Sequence, residues 1–230
     1  DGSAHGLERA GEILEHVFRL VGCPPTHLGA EIQWNEDPHN YDQWAIALNR
    51  HSHWVTLGRV YAATGDERYA EEFVAQLNSW IAAMPVHIGP RYIQGPFFET
   101  GKAPLTLDAG IRMAQTWWPA YYYFKDSAAF DVDSQVRMLR SFRDHARYLM
   151  NGDYFHVTSN WGAMETNGLL HVAVMLPEFK EAGEWLRVAR ERLVAAQQAQ
   201  VYPDGAQIEL TTGYHGVTLG NFLGALEVAR

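Results

Sequence analysis

The sequence predicts an all-α fold, an incomplete (α/α) toroid of antiparallel helical hairpins. Three observations predict it. Apolar residues recur at three- and four-residue spacing along most of the 230 residues. The helical stretches fall into pairs joined alternately by tight turns and long Pro- and Gly-rich loops. Strand character is confined to one short stretch, Val201 to Leu210. With 47% hydrophobic and 13% aromatic residues, the chain can bury a sizeable core as a single domain over residues 1–230.

Each element has its own signal. Leu7, Ala10, Ile13, Leu14, Val17, Phe18 and Val21 make a first helical stripe from His5 to Val21, stopped by Gly22 and Pro24-Pro25. After an aperiodic loop over 22–40, a second helix carries Trp44, Leu48, His51, Val55, Gly58 and Ala62 on one face and ends at Thr64-Gly65. Asp66 caps a third helix whose buried stripe runs Tyr69, Phe73, Leu77, Trp80 and Ile81. Residues 84–104 form a long loop of the kind that is usually functional or disordered. Four more helices are expected over Thr106–Phe124, Asp133–Met150, Trp161–Leu176 and Pro177–Gln198. A short strand pair is expected around Pro203-Asp204-Gly205. An eighth helix starts near Gly213 and is expected to run through Arg230, which reads as a piece of a longer protein.

Composition excludes several functions. Cys23 is the single cysteine, which rules out an internal disulfide framework and a cysteine metal cage. There is no His-Glu-x-x-His pattern, Gly-rich phosphate loop or nucleophile elbow, so no metal or nucleotide cofactor is expected within the chain. No stretch approaches the roughly 20 apolar residues of a membrane helix. A formal net charge of -9 argues against nucleic acid, and an acidic ligand would need a local cluster of donors. The 8 Trp and 11 Tyr are many for a purely structural core; most are expected to be core, and those left exposed would suit stacking on sugar rings.

The candidate chemistry lies between Thr158 and His215. Asn160 precedes Trp161 at a helix start, where it is either the N-cap or an amide donor that works with the helix N-terminus to hold a carboxylate. Tyr214 and His215 follow Gly213 in a turn. A tyrosine, ordinarily titrating near about 10, serves as a base only beside cations or in a concerted transfer; otherwise Tyr214 packs on a neighbouring helix. Glu165 and Glu209 could form the carboxylate pair of a glycoside hydrolase. Arg112, among Leu107, Ile111, Met113 and Trp117, needs a partner such as Asp108, Glu99 or Asp42; together with Arg50 and His51 it could instead supply a positive field.

Taken in order, Asn49-Arg50-His51, Leu57-Gly58-Arg59-Val60-Tyr61, Thr64-Gly65-Asp66-Glu67-Arg68-Tyr69-Ala70, Leu107-Asp108-Ala109-Gly110-Ile111-Arg112, Asn160-Trp161 with Glu165-Thr166-Asn167-Gly168-Leu169, Pro177-Glu178-Phe179, and Asp204-Gly205 through Gly213-Tyr214-His215 resemble the helical domain of the heparinase II/III-like polysaccharide lyases. The resemblance covers residues 40 to 230. It implies a toroid followed, in the full-length protein, by a β-sandwich domain that often carries a structural zinc and a further histidine. His156 and His215 are the residues of this chain that could stand in for that histidine. The implied activity is β-elimination on a uronate-containing polysaccharide such as heparin, heparan sulfate or an alginate-like polymer, in the periplasm or outside the cell. By similarity Asn160 neutralises the uronate carboxylate, and Tyr214 protonates the glycosidic oxygen and could also be the base on one epimer. Glu165 and His215 support them, and Arg112, His51, Arg50, Trp161 and Glu209 contact substrate. Trp161 after the asparagine is closer to the heparinase III-like branch than to relatives with histidine there. The rival readings are a hydrolase using Glu165 and Glu209, and a non-catalytic carbohydrate-binding module.

Overall fold

The computed structural model describes residues 2–86 and 106–230, and the loop expected over 84–104 lies almost wholly outside them. The described helices are α1 (Ala4–Leu14), α2 (Asp42–Leu48), α3 (Ser52–Thr64), α4 (Arg68–Ala83), α5 (Thr106–Ile111), α6 (Trp117–Phe124), α7 (Val132–Met150), α8 (Asn160–Met175), α9 (Ala182–Gln200) and α10 (Thr212–Val228). A two-stranded antiparallel ribbon joins β1 (Val17–Phe18) to β2 (Thr26–His27), with Val17 opposite His27. The all-α class expected from sequence is what these elements form. Within the single domain expected, contacts gather the described chain into two compact units, residues 2–86 with 115–141 and residues 106–114 with 142–230.

In the first unit α3 packs against α1, α4 and α6. Its core is aromatic and wired by hydrogen bonds. The His51 imidazole stacks on the Trp54 indole at 3.9 Å and accepts a bond from Trp117 Nε1 at 3.0 Å. Trp80 Nε1 donates to Asn49 Oδ1 at 2.8 Å, and Trp54 Nε1 to Gln76 Oε1 at 2.9 Å. Phe73 and Phe124 stack at 4.4 Å. A buried indole N–H calls for a partner, which these polar side chains provide for Trp54, Trp80 and Trp117. The tryptophans are therefore mostly core, as the larger share of the aromatic residues was expected to be. Seven of the eight are buried, and Trp161 alone keeps part of its surface exposed.

Several boundaries differ from the sequence expectation, each for a local reason. The first helix stops at Leu14, because His16 takes a left-handed φ of 51° and its ring is pinned between Gly29 O at 2.7 Å and Glu72 Oε1 at 2.9 Å. Val17 and Phe18 then enter β1. The expected second helix is two helices, α2 and α3, broken at His51 with φ 59°. Stacking on Trp54 and bonding to Trp117 hold that residue out of the helical region, which tertiary packing can do against local propensity. The expected fourth helix is interrupted by a π-helical turn over Arg112–Thr116. Pro119 lies one turn beyond, in the first turn of α6, where it has no N–H to return and the wider turn absorbs the missing bond. The seventh expected helix begins at Ala182 rather than Pro177, and the last ends at Val228 with Ala229 as its cap, not at Arg230. Around Pro203 the strand pair is reduced to one bridge, Val201 to Gln207.

In the second unit α8 packs against α5, α9 and α10. Twelve of its sixteen residues are buried, as expected of a helix with apolar or small residues all round. The approach to α5 is backbone on backbone. A Cβ on Gly168 would lie 2.6 Å from Gly110 Cα, and one on Gly110 would lie 2.7 Å from Met164 O. Arg192 on α9 ends α7 by donating to Leu149 O at 2.6 Å and Met150 O at 2.9 Å, carbonyls that a helix leaves unpaired at its C-terminus.

Candidate active site

The start of α8 gathers Asn160, Trp161 and Glu165, with Glu209 bound to Asn160. Ser159, not Asn160, is the N-cap: its backbone is extended and its hydroxyl accepts from Trp161 N at 3.3 Å. Serine and asparagine are near-equal caps, so the sequence left the choice open. Because Ser159 caps the helix, the Asn160 amide is free for another partner. Its Nδ2 donates to Glu209, with both carboxylate oxygens at 3.0 Å. The Asn160 backbone N–H and the Ser159 hydroxyl also donate to Glu209 Oε1, each at 3.3 Å. These donors and the positive end of the α8 dipole thus already hold one carboxylate.

One turn further along α8, Glu165 is buried at 3% side-chain exposure and all of its visible partners are donors. His156 N reaches Oε2 at 3.1 Å, His156 Nδ1 reaches Oε1 at 2.7 Å, and the Thr106 hydroxyl on α5 donates to the same Oε1. A carboxylate only accepts, so His156 Nδ1 is the donor of this contact and Nε2 lies outside it. The His156 side chain is 45% exposed and meets Trp161 edge-on at 5.1 Å between ring centres. Glu165 favours the charge of Arg192, whose burial nevertheless lowers its pKa overall. Thr106 was not among the residues weighted from sequence, and His156 was named only as a stand-in for a histidine of the β-sandwich domain. Nothing in the spacing of a threonine 59 residues from Glu165 could have announced it.

Tyr214 and His215 open α10, five and six residues beyond Glu209. Thr211 caps that helix by accepting from Tyr214 N at 3.1 Å. Tyr214 is 51% exposed and His215 is exposed too, so both side chains present surface to solvent. Arg112 and His51 are different. Arg112 is 1% exposed and donates from Nε to His145 Nε2 at 2.9 Å, and His51 is fully enclosed by indoles. The expectation that these two touch substrate gives way to a packing role, because neither offers side-chain surface to a sugar. Arg50 and His51 belong to the first unit, and Arg50 O accepts from Thr116 Oγ1 at 2.8 Å. Among the described residues no group of three or more His, Cys, Asp and Glu is placed to hold a metal ion.

The family model described as heparinase II/III N-terminus matches residues 3–230. The chain is 29% identical to a heparin-sulfate lyase of Pedobacter heparinus over 227 residues, covering 97% of this chain and 32% of that protein. It is 26% identical to a heparin-sulfate lyase of Bacteroides stercoris over 231 residues, covering 96% of this chain and 34% of that protein. Its fold matches the crystal structure of a heparan sulfate lyase from Pedobacter heparinus with a TM-score of 0.82 and 28% identity, over 100% of this chain and 34% of that one. The expected class, all-α hairpins of an incomplete (α/α) toroid, agrees with that fold. The chain spans about a third of the length of the relatives it matches.

Proposed function

The chain belongs to the heparinase II/III N-terminal family, and from that premise we propose that it is the helical part of a polysaccharide lyase that cleaves a uronate-containing glycosaminoglycan, heparan sulfate or a similar polymer, by β-elimination. The observation that carries the reading is the Asn160 amide, freed from capping by Ser159 and held at a helix N-terminus that already receives a carboxylate.

The C5 proton of a uronate lies α to its carboxylate and is only weakly acidic while that group keeps its charge unshared. A donor aimed at the carboxylate stabilises the enolate-like intermediate that forms as the proton leaves. Asn160 supplies the donor. One N–H of Nδ2 can serve both oxygens of Glu209, and we assign the other, on an asparagine that is 6% exposed, to the uronate. Removal of the proton and departure of the glycosidic oxygen break C5–H and C4–O4 and form C4=C5. Tyr214, exposed at the start of α10, gives its phenolic proton to that oxygen. His156, in the loop that leads into α8 and half-exposed, is the candidate proton acceptor through Nε2. Trp161, partly exposed beside it, is the aromatic surface offered to a sugar ring. His215 supports Tyr214 from the same turn.

A hydrolase would need Glu165 and Glu209 as a free acid and base. Glu165 is buried under three donors and Glu209 is engaged by Asn160 and Ser159, which favours elimination. We place the enzyme in the periplasm or outside the cell, where such polymers are found. Among the described residues no helix is long and apolar enough to cross a membrane.

The test is to incubate the protein with a panel of uronate polysaccharides while following ultraviolet absorbance and reducing ends in the same samples. Elimination raises both together, because it makes a conjugated 4,5-unsaturated uronate. Reducing ends without absorbance would mean hydrolysis and would overturn the proposal.

A further inference from the structure

We infer that Glu209 is a positioning residue: it fixes which end of the Asn160 amide faces substrate and ties the start of α8 to the segment that launches α10. The inference rests on the elimination reading above.

An asparagine amide has two ends of nearly equal shape, one that donates and one that accepts. Only the donating end can neutralise a uronate; the oxygen end would repel it. Glu209, ionised, can only accept. With both of its oxygens 3.0 Å from Nδ2, turning the amide over would set Oδ1 against a carboxylate and forfeit the bond. Glu209 therefore selects the productive orientation before any sugar arrives, which is preorganisation of the kind that lowers a transition state without binding the ground state more tightly.

Glu209 is itself held from several sides. The Ser159 hydroxyl and Asn160 N–H donate to it, and its own backbone N–H donates to Gln207 Oε1 at 2.9 Å, where Gln207 is 3% exposed. Beyond it, Leu210 takes a left-handed φ of 52°, and the chain turns into Thr211, the cap of α10. The carboxylate bound to Asn160 thus stands on the short segment that leads into Tyr214's helix. A single side chain sets the orientation of one proposed catalytic group and anchors the segment leading to the other.

The experiment measures kcat and KM for Glu209→Ala and Glu209→Gln, each with Asn160 intact and in an Asn160→Ala background, on the polymer that the unaltered protein eliminates. With Asn160 intact, Glu209→Ala should lower kcat about 100-fold while KM moves less than about threefold. Glu209→Gln keeps an acceptor oxygen and should recover about tenfold of that loss. In the Asn160→Ala background, Glu209→Ala should cost less than about threefold more, because its effect runs through the missing amide. A parallel readout needs no turnover: the side-chain amide protons of Asn160, assigned by their disappearance in Asn160→Ala, should exchange slowly in the unaltered protein and rapidly in Glu209→Ala. Equal losses in both backgrounds, or a raised KM with kcat unchanged, would overturn the inference alone. A protein that eliminates no uronate polymer would overturn the functional reading and the inference with it.

Discussion

His156 Nδ1 lies 2.7 Å from Glu165 Oε1, a hydrogen bond in which the carboxylate is buried and the imidazole reaches solvent. The buried partner also takes bonds from Thr106 and from the His156 backbone. In Glu165→Gln one oxygen becomes an NH2, which faces donors with a donor. That substitution should destabilise the fold by about 1–3 kcal/mol, the cost of leaving buried donors unpaired. Urea unfolding of the variant beside the unaltered protein checks it; an unchanged midpoint would mean that Glu165 is not structural.

Tyr214 makes the opposite prediction. Its side chain is half exposed, so Tyr214→Phe should leave stability within about 0.5 kcal/mol. Turnover should fall by about 100- to 10,000-fold if the phenol protonates the leaving oxygen. Binding of a uronate oligosaccharide, followed by calorimetry, should persist. A variant with normal turnover would remove Tyr214 from the mechanism.

The seam between α5 and α8 should tolerate no added carbon. In Gly168→Ala the new Cβ meets backbone at 2.6 Å, and neither helix has a flexible side chain at that point to yield. The expected cost is about 1–3 kcal/mol or failure to accumulate folded protein. Gly183→Ala, at a position where nothing lies within 4 Å of the added carbon, is the control and should be neutral or stabilising. Thermal melts of the two variants decide it.

His53 gives the first unit a pH dependence. Complete burial pushes its pKa down to about 3, only partly offset by its hydrogen bond to Gln76. Unfolded, the same side chain titrates near about 6.5. Between those values the unfolded chain binds a proton that the folded chain refuses, so this group's contribution is intact above pH 6.5 and is lost as pH falls toward 3. At pH 5 the loss from this group is about 2 kcal/mol. Urea titrations at pH 7 and pH 5 measure it, and His53→Gln should shrink the difference between them.

Helix positions were legible because periodicity is local, as in α4, whose stripe from Tyr69 to Trp80 appears where expected with Gly65 left-handed before it. What was not legible came from partners distant in sequence. The break at His51 depends on Trp117, 66 residues away, and the capture of Asn160 depends on Glu209, 49 residues away. Asn160 shows the limit most clearly. From sequence it could cap or it could donate, and only the extended backbone of Ser159 resolves the tie. Arg112 was singled out for its apolar surroundings, but its partner His145 sits on another helix with no spacing rule to connect them.

The burial of the tryptophans has a spectroscopic consequence. Trp34, Trp44, Trp54, Trp80, Trp117 and Trp118 are all buried in the first unit, so intrinsic fluorescence is dominated by indoles that no carbohydrate can touch. Total emission therefore monitors unfolding of that unit. A change in emission on adding a saccharide would come from Trp161, and a Trp161→Phe protein would serve as the blank that separates the two signals.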